Sequence, residues 1–298
     1  MSGAQAVAPA TRGTIYSESA RIIAQTGYEG AQYVLRLLAP RIAEHATPGS
    51  FVHLCCAAEL PMRRPLSIMR VHRSAGWIEL LYKVMGSGTA ALARQPVGAE
   101  LAVLGPIGHG FIAHPDRPRV LAIGGGVGIP PMVFLAEQLH SDDPARWKTL
   151  VLMGSEIPFP FRARPSRILV PGIEAGAIGC MPELDAQGIA SRLASRQGYP
   201  GCFDGLVTEL ARQWLAALDA AQRAEVEIFA CGPTPMLRAA AKLAAEYQLP
   251  AQVCLEEFMA CAVGGCAGCA VRVQTAAGPA MKRVCVDGPV FEAAAVFG

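Results

Sequence analysis

The sequence predicts three units in one chain: an antiparallel β-barrel, an α/β unit built on a parallel sheet, and a small cysteine-organised unit at the C-terminal end. Residues 14–113 hold short period-two segments separated by Gly and Pro turns, the pattern of a small barrel. Residues 117–249 alternate apolar strands with longer helical stretches, the pattern of an open parallel sheet flanked by helices. Residues 250–298 crowd glycine and cysteine together and show no helical period.

Composition narrows the function classes. The 298 residues suffice for two or three domains with their own cores, and with 52% of residues hydrophobic and 17% charged a disordered chain is excluded. A net charge of +2, with Lys and Arg scattered and no interleaved aromatic platform, argues against nucleic acid as a ligand. Residues 1–13 read as a flexible terminus, small and polar, without the apolar core and basic flank of a secretory signal; a cytoplasmic protein is expected. The apolar run from Val120 to Ala136 is broken by Gly124, Gly125, Gly126, Gly128, Pro130 and Pro131, so it reads as a buried strand, turn and helix and not as a membrane span. Ten cysteines in a reducing compartment are not a disulfide frame, and clustered ones point to a metal.

Within the barrel, Ser50 to Leu54, Leu66 to Val71, Trp77 to Tyr82 and Glu100 to Leu104 read as strands. Arg64-Pro65-Leu66-Ser67 begins one of them, and Gly86-Ser87-Gly88-Thr89 opens a short helix after the strand that ends near Val84. A flavin with a pyrophosphate needs a guanidinium, a hydroxyl or amide near N5 and a bare helix start, and this pair of motifs supplies all three. Singly, Arg64 would read as a surface ion pair and the glycines as a plain turn. A short linker, His114 to Pro118, ends the unit.

In the α/β unit, Val120 to Ile123 leads into a helix at Met132 to Leu139, and Val226 to Ala230 into one at Met236 to Tyr247. The first turn between them, Gly124-Gly125-Gly126-Val127-Gly128-Ile129-Pro130-Pro131, brings backbone amides and a helix dipole to where a pyrophosphate would lie. Both prolines suit the first helical turn, where a missing N–H costs nothing. Cys231-Gly232-Pro233 follows the second strand, at the carboxyl edge where open sheets bind ligands; a small buried thiol is the plainer reading of Cys231. Leu150 to Met153 is followed by Gly154-Ser155-Glu156 with no arginine pair for a 2′-phosphate, which favours NADH, although Arg162 and Arg164 are not far off.

Cys261, Cys266 and Cys269 give C-x4-C-x2-C, and Cys285 follows after fifteen residues, the plant-type spacing for a [2Fe–2S] cluster. Ala262, Gly264, Gly265, Ala267 and Gly268 supply a loop without bulk, so that amides can turn toward the sulfurs. Zinc would require paired C-x2-C knuckles or histidines, and no histidine lies beyond His140.

The barrel motifs resemble those of the ferredoxin-NADP reductase superfamily, R-x-[YFL]-[ST] followed by G-x-G-[ST]. That resemblance implies FAD on the barrel, lined by the backbone of Leu81, Tyr82 and Lys83, and places Cys231-Gly232-Pro233 facing the nicotinamide. Leu104 to Phe111 is similar to the turn that closes the barrel there. The order of barrel, dinucleotide unit and [2Fe–2S] segment, with Cys254 to Cys261 and Arg283 to Phe291 framing the cluster, resembles the electron-transfer subunits of NAD-linked, two-subunit dihydroorotate dehydrogenases. Between Ile173 and Gly205 the match loosens: Met181-Pro182-Glu183-Leu184-Asp185 and a Ser/Arg-rich helix replace an acidic, glycine-containing loop.

The resemblance implies an oxidoreductase of pyrimidine biosynthesis that carries electrons between NAD(H) and an FMN-containing catalytic subunit, in a hetero-oligomer, without membrane or nucleic acid. No acid or base of this chain is needed for hydride transfer. Related subunits serve sulfide dehydrogenase and NADH-dependent ferredoxin:NADP oxidoreductase. A standalone flavin reductase and a cluster-based redox sensor are the readings from other classes.

Overall fold

In the computed structural model, residues 14–298 are described, so the expectation of a flexible terminus over residues 1–13 lies outside the described residues. The first part is a closed barrel of strands β1 (Tyr16–Tyr28), β2 (Gln32–Leu38), β3 (Phe51–Leu54), β4 (Arg64–His72), β5 (Trp77–Lys83) and β6 (Glu100–Ile107), paired in the order β1-β2-β5-β4-β3-β6. Helix α1 (Pro40–His45) follows β2, and α2 (Ser87–Leu92) follows β5. Alternation places Ala20, Ile22, Leu35, Leu37, Val52, Leu54, Ile68, Ile78, Leu80 and Tyr82 in the interior. The hairpin β1–β2 was not among the expected strands: the β1 run carries Ser, Glu, Arg and Gln on its outer face, which masks its short apolar alternation.

A parallel sheet follows, begun by β7 (Arg119–Gly125), a short 3₁₀ turn (Gly126–Gly128), α3 (Ile129–Asp142) and β8 (Lys148–Gly154). Pro130 and Pro131 sit in the first turn of α3, as the sequence predicts. The chain then forms a small pair, β9 (Arg164–Pro165) with β10 (Gly179–Cys180), then α4 (Pro182–Ala186), β11 (Ala190–Ser195) and β12 (Phe203–Asp204). Helices α5 (Val207–Ala217) and α6 (Ala220–Ala224) lead to β13 (Val226–Cys231), α7 (Thr234–Tyr247) and β14 (Ala251–Cys254). Helix α3 ties the two parts together. Its Met132, Val133, Leu135 and Ala136 pack on the sheet, while Phe134 enters the barrel core.

Two expectations need correction. The Ser/Arg-rich stretch is not a helix: Ala190–Ser195 is a strand, parallel to β8, with five of its six residues buried. Six residues hold too few periods to separate helix from strand, and pairing with the sheet decides the outcome. The division at residue 250 also cuts through paired backbone. β14 lies beyond it yet runs parallel to β13, and β17 (Val290–Glu292) returns antiparallel to β14, completing the sheet order β12-β11-β8-β7-β13-β14-β17. Between β14 and β17 lie the cysteine loop, the hairpin β15 (Ala270–Thr275) with β16 (Gly278–Arg283), and α8 (Val284–Asp287); α9 (Ala293–Phe297) ends the chain. Among the described residues no helix is long and apolar enough to cross a membrane.

Candidate functional site

On β4, Leu66 packs against the barrel core, so alternation turns Pro65 and Ser67 to the outer face. Arg64 at the strand start donates from Nη1 to the carbonyls of Met62 (2.9 Å) and Arg63 (3.0 Å). Its guanidinium lies beside Gly88 in the first turn of α2: a Cβ there would stand 2.9 Å from Arg64 Nε. Thr89 Oγ1 accepts from the amide of Met85 at 2.9 Å, fastening the turn that opens the helix. Arg64 and the adjacent Gly88 and Thr89 of α2, from separate motifs, thus meet at one corner, where a guanidinium and first-turn amides fit a pyrophosphate.

Strand β5 sends its side chains two ways. Tyr82 is buried in the barrel, stacked on Tyr33 with ring centroids 5.3 Å apart, and donates to Gln25 Oε1 at 3.1 Å. Burial pushes its phenol well above the ordinary tyrosine value. Leu81 faces the opposite way, into the cluster of side chains between barrel and sheet, and Lys83 ends the strand. The 3₁₀ turn Gly126–Gly128 touches β5, so the expected flavin strand and the expected dinucleotide turn are neighbours.

That turn packs backbone to backbone on the second motif. A Cβ on Gly128 would collide with the carbonyl of Cys231, and one on Gly232 would stand 3.2 Å from the Cα of Gly125. Gly126 adopts φ +55 and faces open space. Because β7 and β13 are adjacent and parallel, α3 and α7 start side by side above this corner, with Gly128 and Pro233 at their N-caps. Two helix N-termini and a glycine turn at the carboxyl edge of a parallel sheet suit a dinucleotide pyrophosphate.

Cys231 is fully buried and stands in register with Cys254 on β14. A hydrogen bond with Cys254, burial, and the nearby Cys254 and Glu256 raise its thiol well above the ordinary value, so it stays neutral. Glu256 Oε1 is 4.0 Å from Cys231 Sγ. Its carboxyl is open to a cleft of about 310 Å³, bounded by Gly232, Pro233 and Val271, yet crowded by protein on its other sides; that desolvation pushes it up. Sequence reasoning missed Glu256 and Cys254, which matter only because β14 joins the sheet beside β13.

Three cysteines of the C-terminal loop and Cys285 of α8 fall into two pairs. Cys269 and Cys285 have sulfurs 3.4 Å apart, both buried, and Cys261 is next to Cys266, whose amide points at its sulfur at 3.4 Å. The Gly268 amide points at Cys266 Sγ, also at 3.4 Å. Burial raises the Cys261 thiol, but the amides of Val263, Cys266 and Gly265 outweigh it and hold the group at about 7. Burial, with the bond to Cys269, pushes Cys285 to about 12. Among the described residues no three His, Cys, Asp or Glu close on a single ion. Two thiol pairs held next to each other, ringed by inward-pointing amides, fit a two-iron centre with one pair per iron. Left-handed backbone at Ala262, Gly264 and Ala267 bends the loop to this shape, and Arg283 Nη1 holds it by donating to Gly264 O at 2.8 Å.

The loop sits on the barrel. Phe51 of β3 packs with Met259, Ala262, Cys269 and Cys285, and its cross-strand partner on β4 is Ser67. Phe51 carries no chemical signal in the sequence; only the register shows that one barrel face serves both the cysteine loop and the expected flavin strand.

Residues 256–297 match the model of the iron-sulfur cluster binding domain of dihydroorotate dehydrogenase B. Over 282 residues the chain is 35% identical to the dihydroorotate dehydrogenase B (NAD(+)) electron transfer subunit of Bacillus caldolyticus, covering 93% of this chain and 95% of that one. Identity to the subunit of the same name from Desulforamulus reducens is 33% over 261 residues, covering 87% and 90%. A structure of an NADH-dependent reduced ferredoxin-NADP oxidoreductase superposes with a TM-score of 0.72 at 24% identity, covering 94% of this chain and 90% of that one; it shares the fold. The ferredoxin reductase of carbazole 1,9a-dioxygenase superposes with a TM-score of 0.60 at 20% identity, over 79% and 67%. With a third of its residues matched across nearly the full length of those subunits, this chain belongs to the family of dihydroorotate dehydrogenase B (NAD(+)) electron transfer subunits.

Proposed function

We propose that this chain carries electrons between NAD(H) and a partner redox subunit through FAD and a [2Fe–2S] cluster, as the electron-transfer subunit of a dihydroorotate dehydrogenase in cytoplasmic pyrimidine biosynthesis. The observation that carries the reading is the pairing of Phe51 with Ser67, which puts the cysteine loop and the expected flavin strand on one barrel face. The names of the relatives, which are electron transfer subunits linked to NAD(+), support it.

Bound FAD would supply hydride chemistry toward a nicotinamide as well as one-electron chemistry, and a bound cluster would supply one-electron chemistry. The residues supply position and charge. Arg64, with the amides at Gly88 and Thr89, would hold the flavin pyrophosphate; Pro65, Leu66 and Ser67, with the backbone of Leu81, Tyr82 and Lys83, would form the wall for the ring. The turn at Gly125, Gly126 and Gly128 and the segment Cys231-Gly232-Pro233 would seat the dinucleotide at the seam between barrel and sheet. Cys231, neutral and buried, excludes water from that seam and transfers no proton. Cys261, Cys266, Cys269 and Cys285 would hold the irons, and Gly154-Ser155-Glu156 after β8, which carries no arginine pair for a 2′-phosphate, favours NADH over its phosphorylated form.

The test is co-purification with the flavoprotein partner from the native host, followed by anaerobic addition of dihydroorotate. Bleaching of flavin and cluster bands, with NAD⁺ then reduced, is the expected result. A complex that NADH reduces and dihydroorotate does not would remove the pyrimidine assignment; a colourless, metal-loaded chain would remove the electron-transfer reading.

A further inference from the structure

Arg283 ends β16, just before α8 and its Cys285, and its side chain reaches back to the cysteine loop, where Nη1 donates to the carbonyl oxygen of Gly264 at 2.8 Å. That carbonyl belongs to the peptide group between Gly264 and Gly265. At the other end of the same planar unit is the N–H of Gly265, one of the amides directed at Cys261 Sγ. The N–H of Gly264 itself is directed at Cys285 Sγ. The short segment that Arg283 grips therefore serves one sulfur of each cysteine pair.

The charge of Arg283 is not cancelled locally. Asp287 accepts from the Arg283 amide at 2.7 Å and lies 3.9 Å from its Nε, but Lys282 Nζ is 3.6 Å from the other carboxylate oxygen. Of these three groups, two cations against one carboxylate leave one positive charge at the loop. An arginine keeps its proton in proteins, and at 42% exposure solvent weakens the field of this one without removing it. A cation on a carbonyl polarises the peptide and strengthens the N–H at its far end. Hydrogen bonds to the sulfurs and nearby charge are what set the potential of an iron–sulfur centre.

We propose that Arg283 sets the reduction potential of the cluster: through the Gly264–Gly265 peptide its charge acts on Cys261 Sγ, stabilises the added electron and makes the cluster the better acceptor. This rests on the reading that the four cysteines hold a [2Fe–2S] cluster. Arg283 is a positioning residue, since it acts through a peptide group. The step it favours is the entry of one electron from reduced flavin; no bond to Arg283 forms or breaks, and no proton moves.

The experiment uses the full chain loaded with FAD and cluster, poised at stepped potentials with dithionite and mediators. EPR reads the reduced cluster, absorbance reads the flavin, and iron is counted in every sample. Arg283→Gln and Arg283→Met keep their iron and lower the cluster potential by a roughly tenfold shift in the one-electron equilibrium, about 59 mV. The flavin potential stays where it was. Arg283→Lys, which keeps the charge, holds most of the cluster potential. If the neutral variants titrate like the unaltered protein, or if Arg283→Lys falls as far as they do, the proposal is wrong. It is also wrong if both neutral variants lose their iron, since Arg283 is then a clamp for the loop. A chain with Arg283 and all four cysteines in place that takes up no iron overturns the cluster reading itself, which no result on the variants does.

Discussion

The guanidinium of Arg64 lies over the Cα of Gly88 so closely that a methyl group there would stand 2.9 Å from Nε and 3.0 Å from Nη2. Gly88→Ala therefore pushes the guanidinium off the helix start. A loss of one charge-assisted contact corresponds to roughly 10-fold weaker FAD binding, measured by flavin release on dilution. Gly86→Ala, with open space around its Cβ, is the control and should bind FAD normally.

The thiols of the C-terminal loop should be unequal in access and equal in need. Cys266→Ser and Cys285→Ser each remove one ligand, and both should lower iron content and abolish transfer to the partner while NADH still reduces the flavin. Iron analysis and stopped-flow absorbance check this. In metal-free protein, thiol alkylation at pH 8 should modify the exposed Cys266 and the half-buried Cys261, held at about 7, well before Cys285, which is buried and raised to about 12.

Glu79 is buried under two guanidinium groups, with Arg36 Nη2 at 2.7 Å and Arg70 Nη1 at 2.9 Å; Arg70 also reaches Glu137 at 2.8 Å. Removing the central carboxylate leaves Arg70, only 15% exposed, short of half its charge compensation. Glu79→Ala should cost about 3 kcal/mol of stability, read by urea unfolding, whereas Arg212→Ala at the exposed pair with Glu246 should cost under about 1 kcal/mol.

His114, in the linker between barrel and sheet, donates to fully buried Glu227, and the hydrogen bond raises its pKa above 6.5 in the folded protein. The unfolded chain holds its proton less tightly. The ion pair therefore contributes fully below pH 6.5, and its contribution disappears as pH rises through the raised folded value. Melting temperature against pH should fall across that window, and His114→Gln should flatten this part of the curve. The side chain is half exposed, so the slope is small and salt reduces it.

Much of the site was legible because its chemistry is local. Cys261, Cys266 and Cys269 fall within nine residues, and glycine turns announce themselves wherever a helix starts on a phosphate. Arg64 and Gly88 were readable as two motifs, but their contact belongs to the fold. What escaped is non-local. The β1–β2 hairpin hides its apolar face among polar residues; Ala190–Ser195 reads as helix until β8 pairs with it; and β14 and β17 find each other across thirty-five residues. Phe51 and His53 look like ordinary strand residues, and only the register with Ser67 and Pro65 reveals which surface they share.

The cysteine loop leaves the sheet at Cys254 and rejoins it at Val290, and those two residues are direct partners across adjacent strands. An excursion closed at its root in this way cannot swing on a tether as a separate carrier domain does. Any distance between the redox centres is built in at folding, so the pace of transfer should be indifferent to solvent viscosity, and lengthening the chain at either root should slow it.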